Sequence, residues 1–226
     1  DNHVYTETHY FRGAAATLRA GNVRFSAWIS HRHHDASLNY DGSVKSITTD
    51  ALHRTQNELK QKGNLASTMT GGNVSWRAHG FHLGATGYFQ RFNLPLSPGR
   101  SLYRKIYPRG QKFGVVGTDY GYTHLWFSVA GETAYSTELG GWATINRLSW
   151  KISPQYTLSG SYRFYSYRFY SFHSSALAEN SSAQNESGAT LRLDATPINR
   201  MNVTMYADFF YNPWPRYGMT HSSSGQ

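Results

Sequence analysis

The stretch Val23-Arg24-Phe25-Ser26-Ala27-Trp28-Ile29-Ser30-His31-Arg32 alternates in side-chain character with period two. In an extended strand successive side chains point to opposite faces. Val23, Phe25, Ala27 and Ile29 therefore share one face, and Arg24, Ser26, Trp28, Ser30 and Arg32 share the other. Two later stretches repeat the scheme. Ala189, Leu191 and Leu193 oppose Thr190, Arg192 and Asp194, while Val203, Met205, Ala207 and Phe209 oppose Asn202, Thr204, Tyr206 and Asp208.

Working outward, about ten such segments are predicted: 10–20, 22–32, 71–79, 81–92, 117–129, 132–139, 142–152, 156–166, 188–196 and 200–211. Short connections join them on one side, at Ala20-Gly21-Asn22, His79-Gly80-Phe81, Ala130-Gly131-Glu132, Ser153-Pro154-Gln155 and Thr196-Pro197-Ile198-Asn199. On the other side the connections are long, at 33–70, 93–112 and 167–186. Tight turns on one side and long loops on the other mark transmembrane β-barrels. The expected fold is all-β: an antiparallel up-and-down transmembrane β-barrel, or a large portion of one, with residues 1–226 as a single barrel region. A soluble β-sandwich also alternates, but its strands usually run to about five or six residues.

Bulk composition agrees with a barrel. Only 39% of residues are hydrophobic, yet aromatics make up 15% and Tyr alone numbers 17; the mean hydropathy is −0.57. In a barrel only alternate residues need face lipid, and Tyr and Trp collect at the interfaces. No apolar run reaches the roughly 18 residues of a membrane helix. The chain has no cysteine, which excludes disulfide staples. Its formal charge of +9 is spread over loops and strands without a dense basic block, so the charge alone does not indicate nucleic acid. Residues 222–226, Ser-Ser-Ser-Gly-Gln, read as a loop. The expectation is a piece of a larger barrel, completed by its own continuation or by a partner chain.

Several residues are candidates for function. Arg24, Arg163, Arg192, Asp194 and Asp208 are expected to line a lumen, where ionic pairs across strands lower the cost of burial. Trp28, Trp142, Trp150 and Trp214 are candidates for the membrane-interface girdle. His31 and His33 alternate on one strand and make a weak metal pair, with only Asp35 nearby to support it. His173, Ser174, Ser175, Asn180, Ser182 and Asn185 hold the ingredients of a hydrolase, but all lie in one Ser- and Asn-rich loop, where such residues serve as turn formers. No catalytic residue, metal or cofactor is assigned on these grounds. Within 33–70, Thr55-Gln56-Asn57-Glu58-Leu59-Lys60-Gln61-Lys62-Gly63 has the composition and Gly stop of a short helix.

Asn185-Glu186-Ser187-Gly188, followed by a strand and then by Ala207-Asp208-Phe209-Phe210-Tyr211-Asn212-Pro213-Trp214-Pro215-Arg216-Tyr217-Gly218, resembles a known family. It is similar to the barrel region of Bacteroidota outer-membrane proteins that carry N-terminal helix-hairpin-helix repeats. Thr55-Gln56-Asn57-Glu58-Leu59 and Gly71-Gly72-Asn73-Val74 are weaker echoes. The resemblance implies a Gram-negative outer-membrane location and membrane lipid as partner. The family's helical repeats imply a link to nucleic acid, but no such repeat lies before Tyr10, so that link does not reach residues of this chain. The expected role is porin-like transport, the passage or binding of a solute or polymer. The alternatives are a secreted β-sandwich binding glycan through exposed aromatics and an outer-membrane hydrolase.

Overall fold

The computed structural model describes residues 12–48, 53–174, 178, 182–198 and 200–225. Its strands are β1 (Gly13–Ala20), β2 (Val23–Leu38), β3 (Val44–Thr48), β4 (Leu65–Ala78), β5 (Phe81–Leu96), β6 (Gly110–Thr123), β7 (Phe127–Ser136), β8 (Gly141–Ser153), β9 (Tyr156–Tyr165), β10 (Glu186–Ala195), β11 (Val203–Asn212) and β12 (Ser223–Gly225). All 12 belong to one sheet. Neighbours in the meander pair antiparallel, and β4 fills the place between β2 and β5. The small β3 pairs with the end of β2 and touches β5 through one parallel bridge, Val44 to Leu96. The described strands thus form one sheet rather than the two face-packed sheets of a sandwich. Its terminal strands are β1 and β12.

The ten predicted segments correspond to β1, β2 and β4 through β11, and two of them are shifted. The expected turn at Gly131 is instead strand interior: Gly131 pairs with Tyr120 on one side and Asn146 on the other. The reversal falls at 124–126, where the His124 amide donates to the Phe127 carbonyl at 2.8 Å. Gly131 is a packing glycine, since a Cβ there would stand 2.4 Å from Asn146 Oδ1 and 2.6 Å from the Tyr120 ring. Residues 223–225 are also strand rather than loop, pairing with Phe210, Tyr211 and Asn212 of β11. By contrast His79 (φ 49°) and Gly80 (φ 83°) make the tight hairpin their sequence predicts, with both central residues left-handed as a type I′ turn requires. The short helix α1 (Gln56–Gln61) is also present. Thr55 caps it, its hydroxyl accepting from the Glu58 amide while the Glu58 carboxylate accepts from the Thr55 amide.

Several strands outrun their apolar alternation. β2 and β5 each have 16 residues, roughly 50 Å at strand rise, against an apolar barrel band of about 25 Å. Their surplus lies at the long-loop end. There Ala36, Val44, Leu65, Phe92, Leu96 and Phe113 pack into a buried cluster with Ile47, Leu94 and Phe172.

Register gives the sheet two unlike faces. One carries Leu18, Phe25, Val74, Leu83, Val116, Leu148, Leu158, Leu191, Met205 and Phe209, each at least 38% exposed. The other carries Arg24, Arg77, Asp119, Arg147, Arg163, Arg192 and Asp208, on the side where the 166–185 segment packs. The sheet curls around this polar side. The loop after β5 meets the loop after β11, with Trp214 Nε1 donating to the Leu102 carbonyl at 3.0 Å and the Tyr103 and Tyr217 rings 5.2 Å apart.

Candidate functional site, the charged inner face

Arg163 is the centre of this face. β9 delivers it between Ile145 of β8 and Gly188 of β10. It is 1% exposed. Its Nε donates to Glu186 Oε1 at 2.6 Å, and its two terminal nitrogens donate to the two Asp208 oxygens at 2.7 and 2.9 Å. Thr190 accepts from Arg163 Nη1 and donates to Asp208 Oδ1. This bidentate fork with a second carboxylate satisfies a charge that burial otherwise makes costly. Gly188 makes room for it, since a Cβ there would lie 2.7 Å from Arg163 Cζ.

The two stretches that carry the family resemblance meet here. Glu186 and Asp208 share Arg163. One step outward, the Asn185 amide brackets Trp214, donating to its carbonyl at 2.8 Å and accepting from its backbone amide at 2.7 Å.

All five predicted lumen residues lie on this face, but they do not form one group. Arg163 and Asp208 belong to the buried cluster. Arg192 instead forks onto Asp194 at 2.8 Å on each arm, near the short-turn end, and the pair is 53% and 37% exposed. Arg24 stands apart on β2. Glu186, fully buried, was read as the end of a loop, although its position before an alternating strand was the available signal. His82, Asp119, Glu132 and Arg147 also lie here, with His82 Nε2 3.0 Å from Asp119.

The tryptophans divide. Trp142 (57% exposed) and Trp150 (51%) mark the two ends of the apolar face of β8, about 27 Å apart at strand rise. Trp28 differs from the expected girdle role: it lies on the polar face, its indole over Gly71, where a Cβ would clash at 2.5 Å. Trp214 lies above β11, stacked on Tyr167 at 5.5 Å.

The 167–186 connection is expected as an exposed loop, but its described residues turn into the curl of the sheet. Phe169 and Ala183 pack with Val115, Ala143 and Tyr165. Tyr88 shares a hydrogen bond with Ser171 at 2.8 Å, and the Phe172 ring meets those of Phe92 and Phe113. Aromatic content explains the correction. Phe169, Tyr170 and Phe172 bury more than the polar residues around them cost to bring along. His173 sits at the tip, with Nε2 3.1 Å from Gln90 Oε1 and its ring edge-on to Tyr88. Three cavities of about 410, 490 and 590 Å³ all border it.

Of the hydrolase ingredients, Ser175 and Asn180 lie outside the described residues. Ser174 donates to the Ser171 carbonyl and Asn185 is committed to Trp214. His31 and His33 share a face as expected, with rings 5.6 Å apart. Their Nδ1 atoms contact Thr68 Oγ1 and the Gly63 carbonyl. No group of three metal-ligating side chains occurs among the described residues.

Burial, and then the Arg32 guanidinium, hold the His173 imidazole below its ordinary value. The docked ring thus binds a proton less readily than a free one. Docking is fully favoured above the free histidine pKa of about 6.5 and is lost as pH falls through the docked value. Hydrogen exchange in 168–173, corrected for intrinsic rate, should accelerate as pH falls below that range. His173→Gln should flatten the response, and an unchanged profile in the variant would count against this role of His173.

No protein-family model matches the chain, and neither a curated protein nor a solved structure does.

Proposed function

We propose that the chain forms the wall of a bacterial outer-membrane β-barrel acting in the passage or binding of a solute. The observation that carries this is the inversion of the two faces. A broad face of Leu, Val, Phe, Met and Trp is exposed, while on the other face the charged Arg163–Glu186–Asp208 cluster is buried. Soluble monomers rarely expose contiguous apolar patches beyond a few hundred Å², whereas a barrel wall in lipid requires this arrangement. The band between Trp142 and Trp150 matches the hydrocarbon thickness of such barrels. Sheet edges in lipid must be paired, so β1 and the β11–β12 edge are the seams through which further strands or a partner chain close the wall. The inward 166–185 segment narrows the lumen beneath the long loops. The resemblance to outer-membrane proteins of Bacteroidota belongs to the same reading.

The test is folding from denaturant. Strand structure and heat-dependent electrophoretic mobility should be recovered in detergent or lipid vesicles and not in detergent-free buffer. A folded, monomeric, detergent-free protein would remove the reading.

Orientation follows from barrel convention, long loops outside. Tyr40, fully exposed in the turn between β2 and β3, should be an early protease site on intact cells. Cleavage in 168–173 should lag behind it because those residues are docked inside. Cleavage confined to the turn around Ser153-Pro154 would reverse the orientation.

A further inference from the structure

We propose that the short-turn mouth of the inner face carries an oxyanion site built by Arg19, Arg24 and Arg77, specific for phosphate-type groups. The inference rests on the reading of the inner face as a lumen and supplies its substrate class.

Arg19 and Arg24 stand directly opposite each other on β1 and β2. Like charges directly opposite across a strand pair are destabilising, so a bound anion would relieve this pairing; within the chain, Arg19 Nε donates to the Gly21 carbonyl at 3.4 Å. Arg24 is opposite Ser75, and the Arg77 amide donates to the Asn22 carbonyl at 3.0 Å, which sets Arg77 diagonal to Arg24. Such diagonal neighbours lie roughly 7–8 Å apart, within reach of long side chains. All three arginines are exposed, and none makes an ion pair among the described residues.

Four carboxylates of the same face are engaged elsewhere. Asp119 faces His82, Glu186 and Asp208 hold Arg163, and Asp194 holds Arg192. Glu132 stands on β7, across from Asp119. His82, directly opposite Arg77, continues the basic row. The outcome is a corner of three arginines with no ion-pair partner among the described residues, at the open end of a curled wall. Guanidinium forks match the geometry of phosphate oxygens, and low-dielectric walls focus their field on a nearby ligand.

Binding of radiolabelled pyrophosphate to the detergent-folded full chain, measured by equilibrium dialysis, tests the site. Arg24→Gln and Arg77→Gln should each weaken binding roughly tenfold, the loss of one charge-assisted contact. Arg24→Lys should weaken it less. Arg192→Gln, whose guanidinium is already held by Asp194, should leave it unchanged. The Arg19→Gln/Arg24→Gln/Arg77→Gln variant should bind none. The single variants carry the test if the triple variant does not fold.

Absent pyrophosphate binding, or equal binding by wild type and the arginine variants, would overturn the site. Planar-bilayer conductance separates this from the transport reading. A chain that conducts without binding pyrophosphate loses the site and keeps passage. A chain that binds without conducting keeps the site and loses passage.

Discussion

Replacing Arg163 by Leu is expected to destabilise the fold by about 3–5 kcal/mol, the usual cost of breaking a buried ion pair from one side. The change leaves the fully buried Glu186 and the largely buried Asp208 without their cation, and Thr190 keeps only part of the network. Removing the charges together should behave differently. Arg163→Leu combined with Glu186→Leu and Asp208→Leu should recover much of the loss, because desolvation falls on all three groups. Urea unfolding in lipid vesicles measures both variants. The cluster also anchors the start of β10 beneath the inward segment, so hydrogen exchange in 166–174 should rise in Arg163→Leu before global unfolding does. A single-variant loss within about 0.5 kcal/mol, the range of an ordinary surface change, would show that the cluster does not hold this end of the wall together.

The second large effect concerns lipid. Leu148 (52% exposed) points away from the charged face, while its chain neighbour Arg147 points into it. Leu148 lies two residues inside Trp150, so Leu148→Arg should cost more than the about 0–1 kcal/mol of an interfacial arginine and less than the about 2–4 kcal/mol of one at the bilayer midplane. Thr157→Arg should cost much less: Thr157 is on the polar inner face, between Lys151 of β8 and Asp194 of β10, where a new cation meets polar groups rather than hydrocarbon. The contrast between the two variants is the informative quantity, since both add the same side chain. Equal losses in vesicles would mean that the outer face does not meet hydrocarbon.

The pattern that revealed the strands was legible wherever one face of the sheet is apolar and the other polar. In β2, β10 and β11 the alternation is clean, and Arg24, Arg163, Arg192, Asp194 and Asp208 share the polar face of the sheet. It failed above the band. The His31–Asp35 stretch of β2 is strand, but its apolar period has ended. It failed again at Gly131, where glycine normally signals a turn yet serves to admit Tyr120 and Asn146, whose hydroxyl and amide oxygen bond at 2.6 Å. That error shifted β6 and β7 and hid Asp119 and Glu132 from the inner row. Nor was the inward course of 166–185 legible. Its composition is that of a loop, and only the tertiary curl of the sheet supplies the surface on which Phe169 and Phe172 bury. The division of Arg163 with Asp208 and of Arg192 with Asp194 into two ion-pair groups, with Arg24 in neither, needed the cross-strand register, which period-two reading does not supply.

The central claim is that the exposed apolar face of the sheet lies against hydrocarbon. Nitroxide scanning of residues 144–151 on β8, in protein folded into lipid vesicles, tests it most directly. Labels at 148 and 150 should collide strongly with oxygen and weakly with a polar nickel reagent, while labels at 147, 149 and 151 should show the reverse, giving a period of two along the strand. Uniform access of the nickel reagent to positions 148 and 150 would contradict the account.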